Sequence, residues 1–185
     1  VLLTIWSAMG GVDSIRVALN RAYDIKDTRS FWRTYGLGII FVLGAAMILL
    51  TVAALLVFMP VILASIDRYS PGFSANFSLL DTLRVPIAIL LLLLGLLAAH
   101  RFLPARKQRV RDLMPGVMIT LFVWVLLALA FSQYLLNFNT FASTYASLSG
   151  LFAAMFFLYL SALVLLLGGE FNRVMQIHRA RPQTG

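Results

Sequence analysis

Long stretches without a single charged residue dominate this chain. No Asp, Glu, Lys or Arg occurs from Thr34 to Ile66, between Arg84 and Arg101, or from Leu113 to Gly169. A helix of about 20 apolar residues crosses the hydrocarbon core of a bilayer. The pattern therefore predicts an all-α fold, a polytopic transmembrane helix bundle with four complete spans. We place these spans at residues 36–64, 85–102, 115–136 and 148–169.

Prolines and polar connections set the predicted ends of these spans. Pro60 predicts a kink or an early end in the first span, because proline removes one backbone donor and clashes with the preceding turn. Pro86 suits the first turn of the second span, and Pro115–Gly116 opens the third. Pro71–Gly72 marks the turn of the first outer connection, and residues 137–147 form a second, charge-free connection.

The residues before the first complete span predict two shorter helical segments. Residues 1–8 are interpreted as the end of a helix whose start is absent, and Gly10–Gly11 breaks this apolar stretch. Residues 12–25 then have helical periodicity, which indicates an amphipathic helix. Its apolar face carries Val12, Ile15, Leu19 and Ala22. We interpret residues 1–185 as a single membrane domain of a chain that is incomplete at its N-terminus.

The distribution of positive charge predicts the orientation of the spans. Fifteen Lys and Arg residues against seven Asp and Glu residues give a formal charge of +8. The Lys and Arg counts of successive polar segments are 5, 2, 5, 0 and 3, for residues 10–35, 65–84, 101–114, 137–147 and 170–185. Cytoplasmic loops of membrane proteins collect Lys and Arg. The alternation therefore predicts that residues 10–35, residues 101–114 and the C-terminus face the cytoplasm.

One acidic residue stands at the edge of the last span. Glu170 is the only acid between Asp112 and the end of the sequence. An ionisable group at membrane depth is costly, and it is a functional candidate by default. Two other interpretations stay open: Glu170 pairs with a nearby cation such as Arg173, or it lies in solvent at the end of the helix. The helix dipole disfavours an acid at a C-terminus, so we expect a compensating contact there.

The other titratable residues predict no catalytic or metal centre. The chain has no cysteine and two histidines, and it lacks the spacings of metal-binding and phosphate-binding motifs. His100 is interpreted as an anchor at the membrane interface. Asp67 and Asp81 could act as an acid–base pair, but such positions are more typical of turn and cap residues. We therefore predict no cofactor, no metal and no catalytic residue.

A cluster of five cations follows the second span and precedes the third. Such a cluster could bind RNA or the anionic headgroups of lipids. It adjoins two membrane spans directly, which favours lipid headgroups and predicts no nucleic-acid partner. The candidate headgroup-binding residues are Arg101, Arg106, Lys107, Arg109 and Arg111.

Small residues four positions apart mark three candidate contacts between helices. Small side chains let two helix backbones approach closely in a membrane. Such pairs also arise by chance in spans rich in Gly and Ala, and chance is the alternative for each. The pairs are Gly95 with Ala99, Ala128 with Ser132, and Gly150 with Ala154.

Several short motifs run in order along the whole chain. They are Ala18-Leu-Asn-Arg-Ala-Tyr23, the cations from Arg29 to Arg33, Leu113-Met-Pro-Gly116, Tyr145-Ala-Ser-Leu-Ser-Gly150, Phe157-Leu-Tyr-Leu-Ser161 and Leu167-Gly-Gly-Glu-Phe-Asn172. Together they resemble the YihY/BrkB family of bacterial inner-membrane proteins. The resemblance implies an inner-membrane location and further membrane-spanning sequence before the first residue of this chain.

One of these motifs departs from the family pattern. Family members usually carry Gly-Ala-Glu-Leu-Asn where this chain has Gly168-Gly-Glu-Phe-Asn172, and the second glycine is expected to make the backbone more flexible. The departure leaves Glu170 and Asn172 in place. The candidate substrate-binding or structural polar residues are Glu170, Asn172, Tyr159, Asn20 and Arg21.

The resemblance leaves the activity open. An older label for similar proteins is a tRNA-processing ribonuclease, but a hydrolytic nuclease needs a metal site or an acid–base pair in a water-accessible domain. The polar segments here are too short to bury a core of their own. The favoured hypothesis is therefore a transporter or translocator of a lipid or another amphiphile, with membrane lipids and their anionic headgroups as partners, and not an enzyme.

Two alternatives to transport remain. The first is a membrane scaffold that binds a protein partner through the amphipathic helix of residues 12–25. The second, and less favoured, is the ribonuclease, for which Asp67 and Asp81 would be the candidate residues. Association into a homo-oligomer is compatible with each of these hypotheses.

Overall fold

Helices make up the secondary structure of the computed structural model, which describes residues 2–70, 72, 77–138 and 146–180. No strand occurs among these residues. The predicted all-α class is confirmed. The elements are α1 (Leu2–Ala22), α2 (Phe31–Ala53), a π-helical segment (Ala54–Phe58), α3 (Met59–Asp67), α4 (Ser78–Phe102), α5 (Val110–Phe138) and α6 (Ala146–Ala180).

Four helical stretches have the length and composition of membrane spans. The shortest has 25 residues. At 1.5 Å per residue it extends about 38 Å, which exceeds the hydrocarbon core of about 30 Å. The predicted four-span architecture is therefore confirmed. The stretches are Phe31–Asp67, Ser78–Phe102, Val110–Leu136 and Gly150–Arg179.

The first stretch continues through Pro60 instead of ending there. α2 passes into the π-helical segment, and α3 begins at Met59. Proline has no N–H to donate, and its ring crowds the carbonyl group four residues earlier, at Leu56. Leu56 lies within the π-helical segment, where the wider turn accommodates this crowding. The predicted distortion is thus a local widening of the helix.

The other spans extend beyond their predicted ends. α4 begins at Ser78, so Pro86 lies inside the helix and not in its first turn. Its first turns are polar, and there Arg84 pairs with Asp81 at 2.8 Å. α6 continues as far as Ala180, well beyond the end of the apolar run. Polar residues end an apolar stretch without ending a helix, because a helix bonds its own backbone groups in water as well as in lipid.

α1 runs through Gly10–Gly11 without a break, which corrects the predicted division into two segments. The helix ends in a Schellman motif, in which the Asp24 N–H donates to the Arg21 carbonyl at 3.0 Å and the Ile25 N–H to the Asn20 carbonyl at 2.8 Å. Asp24 occupies the left-handed position with φ of 53°. Aspartate tolerates that backbone conformation better than most residues.

The first of two compact units contains residues 1–13 and 29–99. Its contacts involve small residues: an added Cβ at Gly38 would lie 3.3 Å from Met9 Cε, and one at Gly95 would lie 3.1 Å from Ile48 Cδ1. Gly95 therefore meets another helix, as its spacing with Ala99 predicted.

The second unit contains residues 14–28 and 100–185. Its core combines apolar side chains from the C-terminal half of α1, from α5 and from α6, namely Leu19, Ala22, Leu113, Val117, Leu121 and Leu165. The other predicted small-residue pairs make no such contact in the described chain. Nothing lies within 4 Å of a Cβ added at Gly150, and Ala128, Ser132 and Ala154 are exposed.

Parts of the predicted connections lie outside the described residues. These parts are Pro71, residues 73–76, residues 139–145 and residues 181–185. Gly72, in the predicted turn, has φ of 88°, a left-handed conformation that glycine adopts without strain.

Candidate functional site

Two glycines lie where α5 and α6 come into close contact. A Cβ added at Gly168 would collide with Thr120 Oγ1 and lie 2.8 Å from the Gly116 carbonyl oxygen. A Cβ added at Gly116 would collide with the Gly168 carbonyl oxygen and lie 2.6 Å from Asn172 Cγ. Both glycines are buried. Gly168 therefore serves close packing of two backbones.

Polar groups bridge the same interface over successive turns. Lipid offers no hydrogen-bond partners, so polar groups between membrane helices bond to each other. The interface thus joins α5 to α6 by specific bonds as well as by packing. The bonds run from Gly116 N–H to Asn172 Oδ1 at 2.7 Å, from Trp124 Nε1–H to the Ser161 carbonyl at 3.0 Å and, more weakly, from Thr120 Oγ1 to the Val164 carbonyl at 3.5 Å.

Three buried side chains, Tyr23, His100 and Asn172, form what we call the polar cluster. Asn172 Nδ2 donates to the Tyr23 hydroxyl oxygen at 3.2 Å, and this hydroxyl lies 3.0 Å from His100 Nδ1. The rings of Tyr23 and His100 meet edge to face, with centroids 6.3 Å apart. Residues from the end of α1, the end of α4 and the last third of α6 thus meet at one point in the second unit.

The Tyr23 hydroxyl stays protonated across the physiological pH range. Burial raises the pKa of Tyr23 to about 12, against the opposing effect of the hydrogen bond from Asn172. A neutral phenol has one O–H to donate and an oxygen that accepts. The oxygen accepts from Asn172 Nδ2, so the O–H is available to His100.

His100 is a core residue and not the predicted interface anchor. Its side chain is fully buried, and its Nε2 atom has no hydrogen-bond partner. Gly169 explains how the ring fits, since a Cβ added there would lie 3.8 Å from His100 Cε1. The apolar run before His100 suggested an interfacial position, but the residues that enclose it are distant in sequence.

Asn20 holds the connection between α4 and α5, residues 103–109, which we call the basic loop. Its Oδ1 accepts from the Ala105 N–H at 2.8 Å, and its Nδ2 donates to Asp27 Oδ2 at 3.1 Å. Leu103 and Pro104 are buried beside this anchor. The amphipathic pattern placed Asn20 away from the apolar face, yet the structure buries it to satisfy the loop backbone.

The cations of the basic loop are exposed. Arg106, Lys107 and Arg109 are exposed, as is Arg111 on α5, and none of them forms an ion pair with the residues that the structure describes. Arg101 is less exposed and stacks over the Phe102 ring at 5.7 Å. The five predicted headgroup-binding residues therefore lie at or beside one anchored loop.

Ion pairs surround the polar cluster within the second unit. Arg173 Nη2 lies 3.0 Å from Asp24 Oδ2, so the cation expected to pair with Glu170 pairs with the end of α1 instead. Arg179 pairs with Asp112 at 3.2 Å, and Arg16 pairs with Asp27. The first two pairs connect residues 149 and 67 positions apart, and they join α6 to the end of α1 and to α5.

The predicted polar candidates separate into two groups. Asn20 and Asn172 are buried and hydrogen-bonded, whereas Glu170, Tyr159 and Arg21 are exposed. Glu170 lies inside α6 and not at its end, so the expected conflict with the helix dipole does not arise. Glu170 is thus an exposed residue of α6, two positions before the buried Asn172.

Sequence reasoning missed Tyr23, Thr120 and the function of the two glycines. The sequence did carry a signal for the two glycines. Gly116 lies four positions before Thr120, and Gly168 lies four positions before Asn172, which is the spacing of small-residue contacts between membrane helices. Asp67 and Asp81 gain no support as an acid–base pair, since Asp81 forms an ion pair with Arg84. No group of three or more His, Cys, Asp or Glu side chains forms a metal site in the part of the chain that the structure describes.

Comparison with known proteins now identifies the family. Residues 1–185 match the family described as Virulence factor BrkB. This chain belongs to that family. The resemblance drawn from the short motifs is therefore confirmed, and the protein is an integral membrane protein of the YihY/BrkB family.

Two groups of relatives carry different names. The chain is 31% identical over 186 residues to the ribonuclease-like protein YfkH of Bacillus subtilis, an alignment that covers 98% of this chain and 66% of YfkH. It is 30% identical over 84 residues to UPF0761 membrane proteins of Xanthomonas campestris and Xanthomonas oryzae, which covers 45% of this chain and 20% of each relative. The chain thus spans just under two thirds of the length of YfkH, and no solved structure matches it.

Proposed function

We propose that this protein transports or translocates a lipid or another amphiphile across the bacterial inner membrane, without catalysing a chemical reaction. The proposal applies to the whole protein. Membrane lipids with anionic headgroups are the proposed partners. The C-terminus and the basic loop are proposed to lie on the cytoplasmic side, in line with the alternation of positive charge.

The observation that carries this proposal is the anchored basic loop. A basic residue near the surface attracts anionic lipid by about 1 kcal/mol. Arg106 and Lys107 follow directly after Ala105, whose N–H is held by the buried Asn20 side chain. A loop fixed at its backbone presents its cations at a constant depth beside two spans. This arrangement suits an anionic headgroup better than it suits a neutral solute.

The scaffold alternative receives less support from the structure. It requires the apolar face of residues 12–25 to be free for a partner. Leu19 and Ala22 of that face are buried, and a Cβ added at Gly169 would lie 3.1 Å from Leu19 Cδ2. A partner would therefore have to displace α6 of the same chain. The ribonuclease alternative rests on the name of YfkH and has no constellation in the described residues to support it.

Lipid translocation by the full-length protein in proteoliposomes tests the proposal. The substrate is an anionic phospholipid with a labelled headgroup, and quenching from outside reports its movement. The test variant is Arg106→Ala with Lys107→Ala. The matched control is Lys26→Ala with Arg33→Ala, which removes the same two charges from exposed residues of another segment that we predict to be cytoplasmic.

We expect translocation above that of empty vesicles and a loss of about tenfold in the loop variant, with little change in the control. Higher salt should weaken the wild-type rate, because salt screens exposed charges. Folded protein that moves no lipid would overturn the proposed function. Equal losses in the two variants would show that overall charge, and not the anchored loop, attracts the lipid.

A further inference from the structure

His100 combines complete burial with an unpartnered polar atom. Its side chain has no exposed surface, and Nε2 has no hydrogen-bond partner. Buried polar groups are nearly always paired, and each exception calls for an explanation. Ionisable residues within membrane spans are rare and include the histidines of proton relays. A fully enclosed imidazole has room for a proton but for no larger ligand, and the proton adds to the ring nitrogen that carries no hydrogen.

The hydrogen bonds around His100 determine its resting state. Asn172 Oδ1 accepts from the Gly116 N–H, which directs Asn172 Nδ2 towards the Tyr23 oxygen. The Tyr23 O–H has no other acceptor among the described residues, so it donates to His100 Nδ1. An Nδ1 atom that accepts leaves the hydrogen of the neutral ring on Nε2. The resting cluster is therefore a one-directional chain that ends on a neutral imidazole.

We propose that His100 binds a proton whose uptake opens the polar cluster and couples to substrate movement. This inference rests on the proposed transport function, and it adds the ion that drives or gates it. A proton from hydronium in the solvent adds to Nδ1 as its O–H bond breaks and water is left. The Tyr23 O–H turns away, and the Tyr23 oxygen then accepts from Nδ1–H. No covalent bond other than the new N–H bond forms.

The chemistry of Tyr23 suits this reversal. Because its pKa is raised to about 12, the phenol does not supply the proton itself and remains a neutral partner in both states. After protonation the Tyr23 oxygen receives two donors, Asn172 Nδ2–H and His100 Nδ1–H, while its own O–H needs a new acceptor. The buried charge and the unpaired Tyr23 O–H, and not the Tyr23–His100 bond itself, then make the closed cluster unfavourable.

The charged groups on the surrounding elements do not neutralise a protonated His100. At the end of α1, Asp24 pairs with Arg173 of α6. On α5, Asp112 pairs with Arg179, and on α6 Glu170 is exposed. Arg101 is the next residue on the same helix, and no carboxylate of the described chain lies within 4.0 Å of a His100 nitrogen. The protonated ring is therefore a high-energy state that favours opening.

Opening of the cluster has a direct path to the basic loop. His100 lies five residues before Ala105, and Asn20 lies three residues before Tyr23. The bond between Asn20 and Ala105 fixes the loop, so movement of the end of α1 moves the loop anchor. Proton uptake at His100 would in this way change the depth at which Arg106 and Lys107 are presented.

Nitrogen NMR of histidine-labelled full-length protein tests the proton site without any transport assay. The chain has two histidines, and His178→Gln removes the exposed one, so the remaining signal of this chain is His100. We expect a neutral ring with the hydrogen on Nε2 near neutral pH, and hydrogens on both nitrogens in acid. Tyr23→Phe removes the hydrogen-bond donor to Nδ1, so it should change which of the two His100 nitrogens carries the hydrogen of the neutral ring. A ring that stays neutral at every pH at which the protein is folded would overturn the proposal.

The pH dependence of lipid movement then tests the coupling. We expect the wild-type rate to rise by about fivefold or more from about pH 8 to pH 5, and His178→Gln to keep that profile. His100→Asn places an amide where Nδ1 lies but does not titrate, so its profile should be flat. If this variant does not fold, Tyr23→Phe replaces it and should shift the profile.

The two proposals fail in distinguishable ways. An unchanged pH profile in folded His100→Asn, with transport intact, overturns the proton coupling and leaves the transport function standing. A His100 ring that titrates in a protein that moves no lipid overturns the transport function, and it contradicts the coupling while retaining the proton site.

Discussion

The two compact units use their helices in different ways. In the first unit, the stretch Phe31–Asp67 is the longest span, yet Gly38 is the one buried residue described in α2 and none is buried in α3. In the second unit, α1, α5 and α6 enclose Leu19, Leu113 and Val117 completely. The second unit also buries polar side chains, among them His100 and Asn172.

The difference follows from the solvent. Lipid tails are as apolar as Leu, so leucine-rich helices gain little by leaving lipid for each other. Close contact instead requires small residues, which allow dispersion contacts between backbones, or polar groups that bond across the interface. Gly116, Gly168 and Asn172 supply both features in the second unit. In α2 the polar Thr51 bonds to the carbonyl of its own helix, at Met47, and needs no partner.

The largest effect should come from filling the contact between α5 and α6. Gly168→Ala would push a methyl group into Thr120 and the Gly116 carbonyl, and overpacking of this kind costs about 3 kcal/mol. Gly44→Ala is the matched change in the first unit, where nothing lies within 4 Å of the added atom. Unfolding of both variants by SDS, in mixed micelles, measures the two free energies. A Gly44 variant as unstable as the Gly168 variant would show that the two units do not differ in this way.

Removal of the Asn172 side-chain amide should have the next largest effect on the free energy of unfolding. Asn172→Leu keeps the branching and the number of side-chain heavy atoms but removes the acceptor for Gly116 N–H and the donor to Tyr23, at an expected cost of roughly 2 kcal/mol. Thr51→Val is the control in the first unit, and we expect a change below about 0.5 kcal/mol because its bond is local and exposed. The same unfolding experiment compares them. A neutral Asn172 variant would mean that packing alone holds the second unit together.

The spans were predictable from sequence because a long stretch without charged residues is more stable in lipid than in water, whatever it packs against. Their ends were not, since the polar first turns of α4 and the segment after Glu170 continue their helices. The motifs pointed to Asn20 and Asn172, which do belong to the buried region. The partner of Asn172 at Tyr23 lies 149 residues away, and the partner of Tyr23 at His100 lies 77 residues away. Helical periodicity predicts which residues share one face of a helix. It does not predict which faces of different helices contact each other.

Alkaline pH should weaken the second unit through Tyr23. Its pKa rises from 10.0 to about 12 on folding, so the folded protein holds the phenol proton more tightly than the unfolded chain does. The stabilisation is complete below about pH 10 and is lost as the pH rises through about 12, with a decrease of about 1 kcal/mol by pH 11. Thermal unfolding from pH 9 to 11 should show this slope in the wild type and less of it in Tyr23→Phe. Tyr35→Phe, in the first unit, should keep the wild-type slope, and a flattened slope in that variant would assign the effect elsewhere.

The smallest expected effect on stability comes from removing one of two ion pairs with similar N–O distances. Arg173 with Asp24 joins α6 to the end of α1, whereas Arg84 with Asp81 lies within one helix of the first unit. Both pairs are partly exposed, so each should contribute about 0.5 kcal/mol or less in a double-mutant cycle. Asp24→Asn keeps the tolerance for a left-handed backbone and removes only the charge, and Asp81→Asn is its counterpart. Amide hydrogen exchange at the end of α1 distinguishes the two pairs. Asp24→Asn should speed this exchange, and Asp81→Asn should not. Equal exchange in both variants would mean that the polar cluster alone holds the end of α1, without help from the ion pair.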